Sequence, residues 1–216
     1  MNNLTQIIPL GESAILIRFA KQLDEQANKK AIEFAAILKR QNHAEIKEVT
    51  ASLVSVLVKY DNQKISFFNL SGLIRLALCE PQGKENNIYK THKVKMIFDG
   101  KDLADVTNSL SLNIEQFIAT HNEKPLRVLA TGFAPGFIYC GMHKKSLFID
   151  RRQKLHKQVP KGTVIFAAGQ TAITSSPIPT GWHIIGHSDF SNFDENKNPP
   201  ILINAGDRIK FVSIEK

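Results

Sequence analysis

Hydrophobic and polar positions near the start of the chain follow first a strand period and then a helix period. The run SAILIRF, residues 13–19, is rich in β-forming side chains and comes after Pro9 and Gly11, so it predicts a strand. Residues 23–41 place apolar side chains at helical spacing, with acidic residues at the start and basic residues at the end. The apolar positions are Leu23, Ala27, Ala31, Phe34 and Leu38. This stretch predicts an amphipathic helix.

The next two stretches predict a second group of strands and a second helix. Residues 46–60 alternate and then become continuously apolar, which predicts one long strand or two strands divided around Ala51 and Ser52. Residues 65–80 predict a helix that stops before Pro81.

A polar segment, residues 80–87, separates this first part from another alternating run, residues 92–98. The resulting order is strand, helix, strand or strand pair, helix, strand, which is the order expected of a ferredoxin-like split βαβ fold. We therefore interpret residues 1–88 as a small α+β domain, with the polar segment as its exit.

Beyond residue 90 the pattern changes character. Residues 113–122 predict a short helix and residues 126–132 a strand. After Phe133, glycine and proline interrupt the chain every few residues, and short apolar runs lie between the interruptions. These runs are residues 163–169, 182–188 and 208–214. Residues 89–216 therefore predict a mainly β domain, either a barrel or a sandwich.

Composition indicates the general class of protein and the cellular compartment. Of 216 residues, 43% are hydrophobic and 22% are charged, the balance of a soluble protein with a substantial core. The first residues lack a basic leader with an apolar core, and no uncharged apolar run approaches the length of a membrane helix. Cys79 and Cys140 lack the spacing of a metal or redox pair. We expect a cytoplasmic protein with two unpaired thiols and no membrane partner.

The net charge of +8, from 28 basic and 20 acidic residues, raises the question of a nucleic-acid partner. The lysines are scattered, and the densest basic run, residues 151–161, carries no interleaved aromatic side chains for base stacking. No DNA- or RNA-binding motif accompanies it. An anionic small molecule or an acidic partner is therefore favoured over nucleic acid.

The segment TGFAPGFIYCGM, residues 131–142, combines three glycines, one proline and three aromatics. Glycines let backbone N–H groups approach a ligand closely, and aromatic side chains exclude water. The same composition suits a glycine-bent strand corner whose aromatics lie in a barrel core. The residues alone leave both interpretations open.

Three further segments follow in a recognisable order: residues 159–173, 178–188 and 198–211. Together with residues 131–142, they resemble the family that contains the B subunit of bacterial 5-oxoprolinase, also called allophanate hydrolase subunit 1 or kinase A inhibitor. The resemblance runs from about residue 5 to the end of the chain. It implies a small N-terminal α+β domain followed by a cyclophilin-like β-barrel.

The resemblance also implies an activity and partners. Family members work with a homologous barrel protein, the C subunit of 5-oxoprolinase, and with a lactam-utilisation protein, the A subunit. Together they use ATP to open 5-oxo-L-proline to L-glutamate, by phosphorylation of the lactam oxygen and attack of water on the activated carbon. ATP would be bound by this chain or by a partner. Related chains inhibit a sensor histidine kinase, and others form an allophanate or urea amidolyase-type module.

The family's motifs are retained in part. The first motif, G-F-x-P-G-F-x-Y-x-G, is complete, while His156 and His187 occupy positions where arginine is common, and Ala168 and Ala172 replace glycines. The resemblance assigns catalytic roles to Gln170, Arg151 and His187. It assigns substrate contacts to Phe133, Pro135, Gly136, Phe137, Thr171, Trp182 and His156.

The chemistry of these side chains fits the assignments. Gln170 can orient a lactam amide or a water because it both donates and accepts hydrogen bonds. The Arg151 guanidinium suits a carboxylate or a phosphate, and His187 binds an anion when it is protonated. Arg152 and the neighbouring lysines are expected at the solvated surface, and Trp182 is expected to pack at the rim or in the core of the barrel.

The sequence contains no P-loop, no nucleophile elbow, no metal-ligand cluster and no carboxylate pair near these motifs. Opening an unstrained lactam requires phosphate handling, an activated carbonyl and a positioned water. We therefore expect a subunit that completes a shared active site without a metal, and that is inactive alone.

Overall fold

The computed structural model describes residues 5–80 and 89–215, and it is a mixed α/β structure. Contacts divide the chain into two compact units, Met1–Ile88 and Tyr89–Lys216. Apart from Glu80, the polar segment predicted at 80–87 lies outside the described residues. No helix within the described ranges is long and apolar enough to cross a bilayer.

The N-terminal unit contains one antiparallel sheet with the strand order β1-β2-β4-β3 and two helices. Its elements are β1 (Gln6–Pro9), β2 (Ala14–Arg18), α1 (Glu25–Gln41), β3 (Ile46–Ala51), β4 (Ser55–Tyr60) and α2 (Phe67–Cys79). Residues 46–60 thus form two strands, the second of the two predicted alternatives.

The sheet of this unit corrects one part of the predicted strand order. Strands β2 and β3 flank β4 and are joined by α1, which is a split βαβ arrangement. The fourth strand is β1, which was not predicted, and the run at residues 92–98 belongs to the other unit. Pro9 lowers the strand propensity of residues 6–9, so the sequence did not predict β1. Proline is tolerated here because β1 is an edge strand.

Local sequence explains where the two helices begin. The Asp24 side chain accepts a hydrogen bond from the Ala27 N–H, and the Ser66 side chain accepts one from the Asn69 N–H. The apolar face of α1 is buried as predicted, with Ala31 and Phe34 fully inaccessible. This face packs against the sheet residues Val56 and Val58 in one core.

The C-terminal unit contains a seven-stranded sheet with the order β12-β9-β10-β7-β6-β13-β5 and a two-stranded sheet formed by β11 and β8. It also contains two short α-helices and a 3₁₀ turn at Lys145–Leu147. Its strands are β5 (Thr91–Met96), β6 (Leu126–Thr131), β7 (Ile138–Gly141), β8 (His156–Val159), β9 (Thr163–Ala167), β10 (Gln170–Ile173), β11 (Ile178–Thr180), β12 (His183–His187) and β13 (Arg208–Ser213). The helices are α3 (Leu103–Ser109) and α4 (Ile114–His121).

The seven-stranded sheet curls into a half-barrel. Its two edge strands, β5 and β12, approach each other where Ile97 and His187 exchange two backbone hydrogen bonds of 2.9 and 3.0 Å. Among the described strands, only β5 and β13 pair in parallel. The ferredoxin-like and cyclophilin-like descriptions of the two parts stay predictions.

Two apolar layers lie on opposite faces of this sheet. The inner layer includes Phe117, Phe166 and Phe211. The outer layer lies between the sheet and the β8–β11 pair and includes Phe137, Ile165 and Trp182. Because side chains alternate along a strand, neighbouring residues in one motif face different layers.

Candidate functional site

A row of aromatic side chains runs from the loop before β7 to the start of β12. Ring centroids are 5.6 Å apart for Phe133 and Phe137, 4.6 Å for Phe137 and Tyr139, and 6.1 Å for Tyr139 and Trp182. Phe133 is 71% exposed, whereas Trp182 is buried as predicted. The row therefore leads from solvent into the outer apolar layer.

Arg151 lies at the buried end of the row. Its guanidinium carbon is 5.7 Å from the centre of the Trp182 ring, a cation–π contact that leaves the guanidinium edge exposed to solvent. The backbone around Arg151 is fixed by two hydrogen bonds of 2.7 Å, from the Ala168 N–H to the Ile149 carbonyl and from the Arg152 N–H to the Gly181 carbonyl. An exposed guanidinium on such a backbone can bind a carboxylate or a phosphate.

Gln170 opens strand β10 on the face that carries the aromatic row. It lies opposite Ala167, and its Cγ would be 3.4 Å from a Cβ added at Gly141, two residues after Tyr139. Gln170 is 7% exposed, and its Oε1 has no hydrogen-bond partner in the described part of the chain. A buried acceptor without a donor costs about 1–3 kcal/mol, so a ligand or water donor is expected there.

The loop before β7 combines the two roles that the sequence left open. Two turn hydrogen bonds close it, from the Gly132 N–H to the Phe137 carbonyl and from the Phe137 N–H to the Ala134 carbonyl. Gly136 has a φ of 79°, and a Cβ there would lie 2.6 Å from the Phe193 Cβ, so only glycine fits. Phe137 is buried while Phe133 and Pro135 are exposed. The segment is both a strand corner and an exposed aromatic loop.

Thr171 follows Gln170 but points into the inner layer. Its Oγ1 is 2.9 Å from His121 Nε2 and 2.8 Å from His143 Nε2, and His121 Nδ1 is 2.7 Å from Asn122 Oδ1. Because the Asn122 oxygen accepts from Nδ1–H, the Thr171 hydroxyl donates to His121 and accepts from His143. Thr171 is thereby engaged within the chain.

The two histidines of this chain of hydrogen bonds were missed by the sequence analysis. Burial lowers the pKa of His121 to about 4, only partly offset by the bond to Asn122. Burial, with a further contribution from His121, also lowers the pKa of His143 strongly. Both rings are neutral at pH 7. The one available signal was His121 on the apolar face of the predicted helix, four residues after Phe117.

His156 belongs to a buried cluster around Asp102. The two Asp102 oxygens accept from Arg152 Nη1 at 2.6 Å, from His156 Nε2 at 2.7 Å and from the Ile184 N–H at 2.7 Å. The expectation that Arg152 is a solvated surface residue is wrong, because Asp102, fifty positions earlier, fixes it.

The electrostatics of Asp102 follow from these contacts. Burial alone would raise the pKa of its carboxyl group, but the hydrogen bonds from Ile184 and His156 and the charges of His156 and Arg152 outweigh burial and lower the pKa. Asp102 is therefore a charged, fully bonded carboxylate.

His187 lies at the opposite end of the strands from Gln170. Their partners on β9 are Thr163 and Ala167, four residues or about 13 Å apart along the strand. His187 Nδ1 is 2.7 Å from Asp99 Oδ1, and the ring lines a cavity of about 250 Å³ between β5 and residues 187–190. The structure brings together Phe133, Phe137, Trp182 and Arg151, with Gln170 on the same face, and places His187 at the far end of the strands from Gln170. His156 is instead bonded to Asp102.

Within residues 5–80 and 89–215, no cluster of three or more His, Cys, Asp or Glu side chains could hold a metal ion. Cys79 and Cys140 are free thiols, as predicted.

Comparison with known proteins identifies the family. Residues 5–203 match the model of the carboxyltransferase domain, subdomain C and D. The chain belongs to this family. Within the carboxyltransferase domain family, it is 29% identical over 224 residues to the 5-oxoprolinase B subunit of Bacillus subtilis, covering 98% of this chain and 93% of the relative. It is 30% identical over 211 residues to the Haemophilus influenzae protein of the same name, covering 95% and 96%. The resemblance seen in the motifs is confirmed.

Solved structures confirm the mixed α/β architecture of this carboxyltransferase domain protein. The crystal structure of TTHA0988 superposes with a TM-score of 0.82 at 28% identity, covering 94% of this chain and 40% of that chain. The chain thus spans well under half of that longer protein. Kluyveromyces lactis urea amidolyase matches with a TM-score of 0.77 at 13% identity, covering 97% of this chain and 15% of the other, a likeness of fold.

Proposed function

We propose that this carboxyltransferase domain protein is the B subunit of an ATP-dependent 5-oxoprolinase. With the homologous barrel protein and the lactam-utilisation protein, the C and A subunits, it opens 5-oxo-L-proline to L-glutamate in the cytoplasm. Relatives that carry the B-subunit name and align over more than nine-tenths of the chain support this assignment. The family's ferredoxin-like and cyclophilin-like domain pair is part of the same proposal.

The observation that carries the proposed site is the unsatisfied Oε1 of Gln170, on the sheet face that carries the aromatic row. A lactam presents one N–H donor and one carbonyl acceptor on the same side of its ring. Gln170 Oε1 accepts the lactam N–H, which satisfies the buried oxygen and sets the orientation of the reacting carbon. Gln170 is the residue to which we assign substrate orientation.

Arg151 and Tyr139 supply the charged and donating groups. The exposed Arg151 guanidinium binds the substrate carboxylate or a transferred phosphate. Burial raises the pKa of Tyr139, against a smaller lowering by Arg151, so its hydroxyl stays protonated at neutral pH and can donate. Phe137 and Trp182 exclude water beside these groups.

The chain supplies only part of the required machinery. It has no P-loop in its sequence, and the described residues hold no metal cluster. Phosphoryl transfer needs several positive groups around the nucleotide, whereas the row presents one arginine. We therefore assign ATP handling to a site completed by partner proteins, with Phe133 and Pro135 at the exposed rim of the shared cleft.

The test is 5-oxoproline-dependent ADP release by the purified chain, first alone and then mixed with the barrel partner and the lactam-utilisation partner. Turnover is expected only in the full mixture. A stable three-component complex that releases no ADP with 5-oxoproline would overturn the proposal. The same assay with allophanate and with urea tests the related amidolyase-type module.

A second candidate function rests on the exposure of the loop tip. Phe133 is 71% exposed and Pro135 is also exposed, which suits a loop that grips a protein partner. This would serve a regulator that inhibits a sensor histidine kinase without chemistry. The discriminating measurement is kinase autophosphorylation with and without the chain, using Phe133→Ala as the variant that should release inhibition.

A further inference from the structure

The edge strand β5 forms ladder hydrogen bonds with a neighbouring strand, β13, along only one of its two sides. The Arg208 N–H bonds to the Lys90 carbonyl and the Ile214 N–H bonds to the Met96 carbonyl, so the even-numbered residues of β5 face β13. The N–H and carbonyl groups of the odd-numbered residues therefore face away from β13. Ile97 confirms this alternation, because both its backbone groups bond to His187.

The seam between the two edges of the sheet opens next to this contact. The Ser188 hydroxyl donates a hydrogen bond of 2.6 Å to the Lys95 carbonyl. After Ser188, residues 189–190 leave β5 and line the opening. Within the described residues, the Lys95 N–H and both backbone groups of Lys93 have no hydrogen-bond partner. A row of unpaired strand groups thus borders an opening in the sheet.

The opening is a cavity of about 250 Å³, which we call the seam cavity. Its lining includes Lys93, Lys95, His187, Ser188, Asp189 and Phe190. Pockets for small-molecule ligands usually span roughly 300–1,000 Å³ and are more enclosed by side chains. A cavity bordered along one side by strand backbone suits a short extended chain better.

The two faces of the seam differ in chemistry. Val94 and Met96 point into the inner apolar layer, against which Phe190 also packs. Lys93 and Lys95 point to the exposed outer face. The acidic groups nearby are Asp189 at the cavity wall and Asp99, which is bonded to His187.

Because side chains alternate along a strand, these two faces determine which side chains an added strand should carry. Side chains of an added strand would point alternately to the apolar side and to the lysine side. On the lysine side, acidic side chains of the added strand would pair with Lys93 and Lys95. If β5 of a second copy of the chain were added instead, its lysines would lie against these lysines. The seam therefore selects alternation of apolar and acidic residues.

We propose that the seam cavity binds an extended peptide segment of alternating acidic and apolar residues, which adds to β5 as a further strand. The segment bonds to the backbone of Lys93 and Lys95 and places its acidic side chains beside the two lysine ammonium groups. This site is separate from the aromatic row and does not depend on the proposed oxoprolinase function.

The test uses end-blocked peptides and the amide chemical shifts of the full chain in solution. The probe is Glu-Val-Glu-Val-Glu, and its charge-matched control is Lys-Val-Lys-Val-Lys. Two further copies of the acidic probe carry N-methyl groups, one at the valines and the other at the glutamates. Because alternate N–H groups of a strand face one edge, one methylated copy should bind about tenfold more weakly, and the other should bind like the parent.

Variants of β5 separate backbone pairing from charge. Lys93→Ala removes one charge and keeps the N–H, whereas Lys93→Pro also removes the outward N–H without breaking the β13 ladder. We expect shifts centred on Lys93 and Lys95, weaker binding to Lys93→Ala, and still weaker binding to Lys93→Pro.

Several results would overturn the proposal. They are equal affinity for acidic and basic probes, no loss of binding with either methylated copy, shifts that map elsewhere, and no binding at millimolar peptide. Saturable shifts of the same amides by 5-oxoproline, without a response to the peptides, would instead make the seam cavity a small-molecule site. Thermal unfolding of each variant verifies that it is folded.

Discussion

Asp102 and Gln170 are both buried polar side chains of the C-terminal unit, but their hydrogen bonds differ. Asp102 receives three hydrogen bonds, from a guanidinium, an imidazole and a backbone N–H. Gln170 Oε1 receives none from the described residues. A fully bonded buried group stabilises the fold, whereas an unsatisfied one is tolerated where a ligand or water completes it. The contrast separates a structural position from a candidate functional one.

The largest effect is expected when Asp102 is removed. Asp102→Ala leaves Arg152, His156 and the Ile184 N–H without their acceptor, so unfolding free energy should fall by about 3 kcal/mol. Denaturant unfolding measures the loss. Asp105→Ala removes an exposed carboxylate in the first turn of α3, the helix that Asp102 precedes; it is the control and should cost less than about 0.5 kcal/mol. Equal losses in the two variants would refute the structural role of Asp102.

Acid titration sharpens the same point. Folding lowers the pKa of Asp102, so the unfolded state binds more protons than the folded state at low pH. The stabilisation that Asp102 contributes is therefore complete above its unfolded pKa, near 4. It is lost as the pH falls through the lower pKa of the folded state. Asp102→Asn should flatten this acid-induced loss. An unchanged dependence of stability on pH below 4 would contradict the assignment.

Gln170→Leu tests the other side of the comparison. Turnover of the reconstituted complex should fall about a hundredfold, since the lactam loses its orienting acceptor. Stability should change by less than about 1 kcal/mol, because an apolar side chain of similar size removes an unsatisfied acceptor. The readouts are ADP release and thermal unfolding, with the exposed Gln153→Leu as control. A variant that is destabilised by several kcal/mol but active when folded would make Gln170 structural.

The His121–Thr171–His143 chain is an intermediate case, in which the hydroxyl and both rings are hydrogen-bonded but uncharged. Because folding lowers both histidine pKa values, the unfolded state binds more protons below pH 6.5, and stability should fall as pH decreases. Between pH 7 and 5.5 the loss should be about 2 kcal/mol, roughly half from each ring. His121→Phe fits among neighbouring aromatic rings and should remove about half of this pH dependence. Stability that is flat over this range would show that the rings are already protonated or hydrated.

The smallest effect is expected at Arg151, whose exposed guanidinium lies over the Trp182 ring at the end of the aromatic row. Arg151→Lys keeps the positive charge but loses the planar fork, so KM for 5-oxoproline should rise about tenfold with little change in kcat. Steady-state ADP release measures both constants, and Lys154→Ala is the exposed control. A fall in kcat alone would move Arg151 from ground-state binding to a role in the chemical step.

Local signals predicted the longer elements well. The helix α1 combines a 3.6-residue period with an N-cap at Asp24, both of which are properties of nearby residues. The short strands β7, β8, β10 and β11 were not predicted, because three to four residues are too few to show a period. Helix α3 was missed as well.

The candidate site was predicted only in part, for a geometric reason. Phe133, Phe137, Trp182 and Arg151 lie along one row, but His187 and Gln170 lie at opposite ends of antiparallel strands. Sequence order cannot show this, because register is set by pairing between distant strands. The partners of His156 and Thr171 lie 54 and 50 positions away, at Asp102 and His121.

By itself, the sequence determined the family, the change near residue 90 from an α+β pattern to a mainly β pattern, and the kinds of side chain available to the site. Those properties depend on ordered motifs and on periodicity, which are local along the chain. Tertiary structure alone decided which polar groups are bonded, which face of the sheet each motif residue takes, and where the two sheet edges part to form the seam cavity. Hydrogen-bond partners and burial arise only when residues far apart in the chain come into contact.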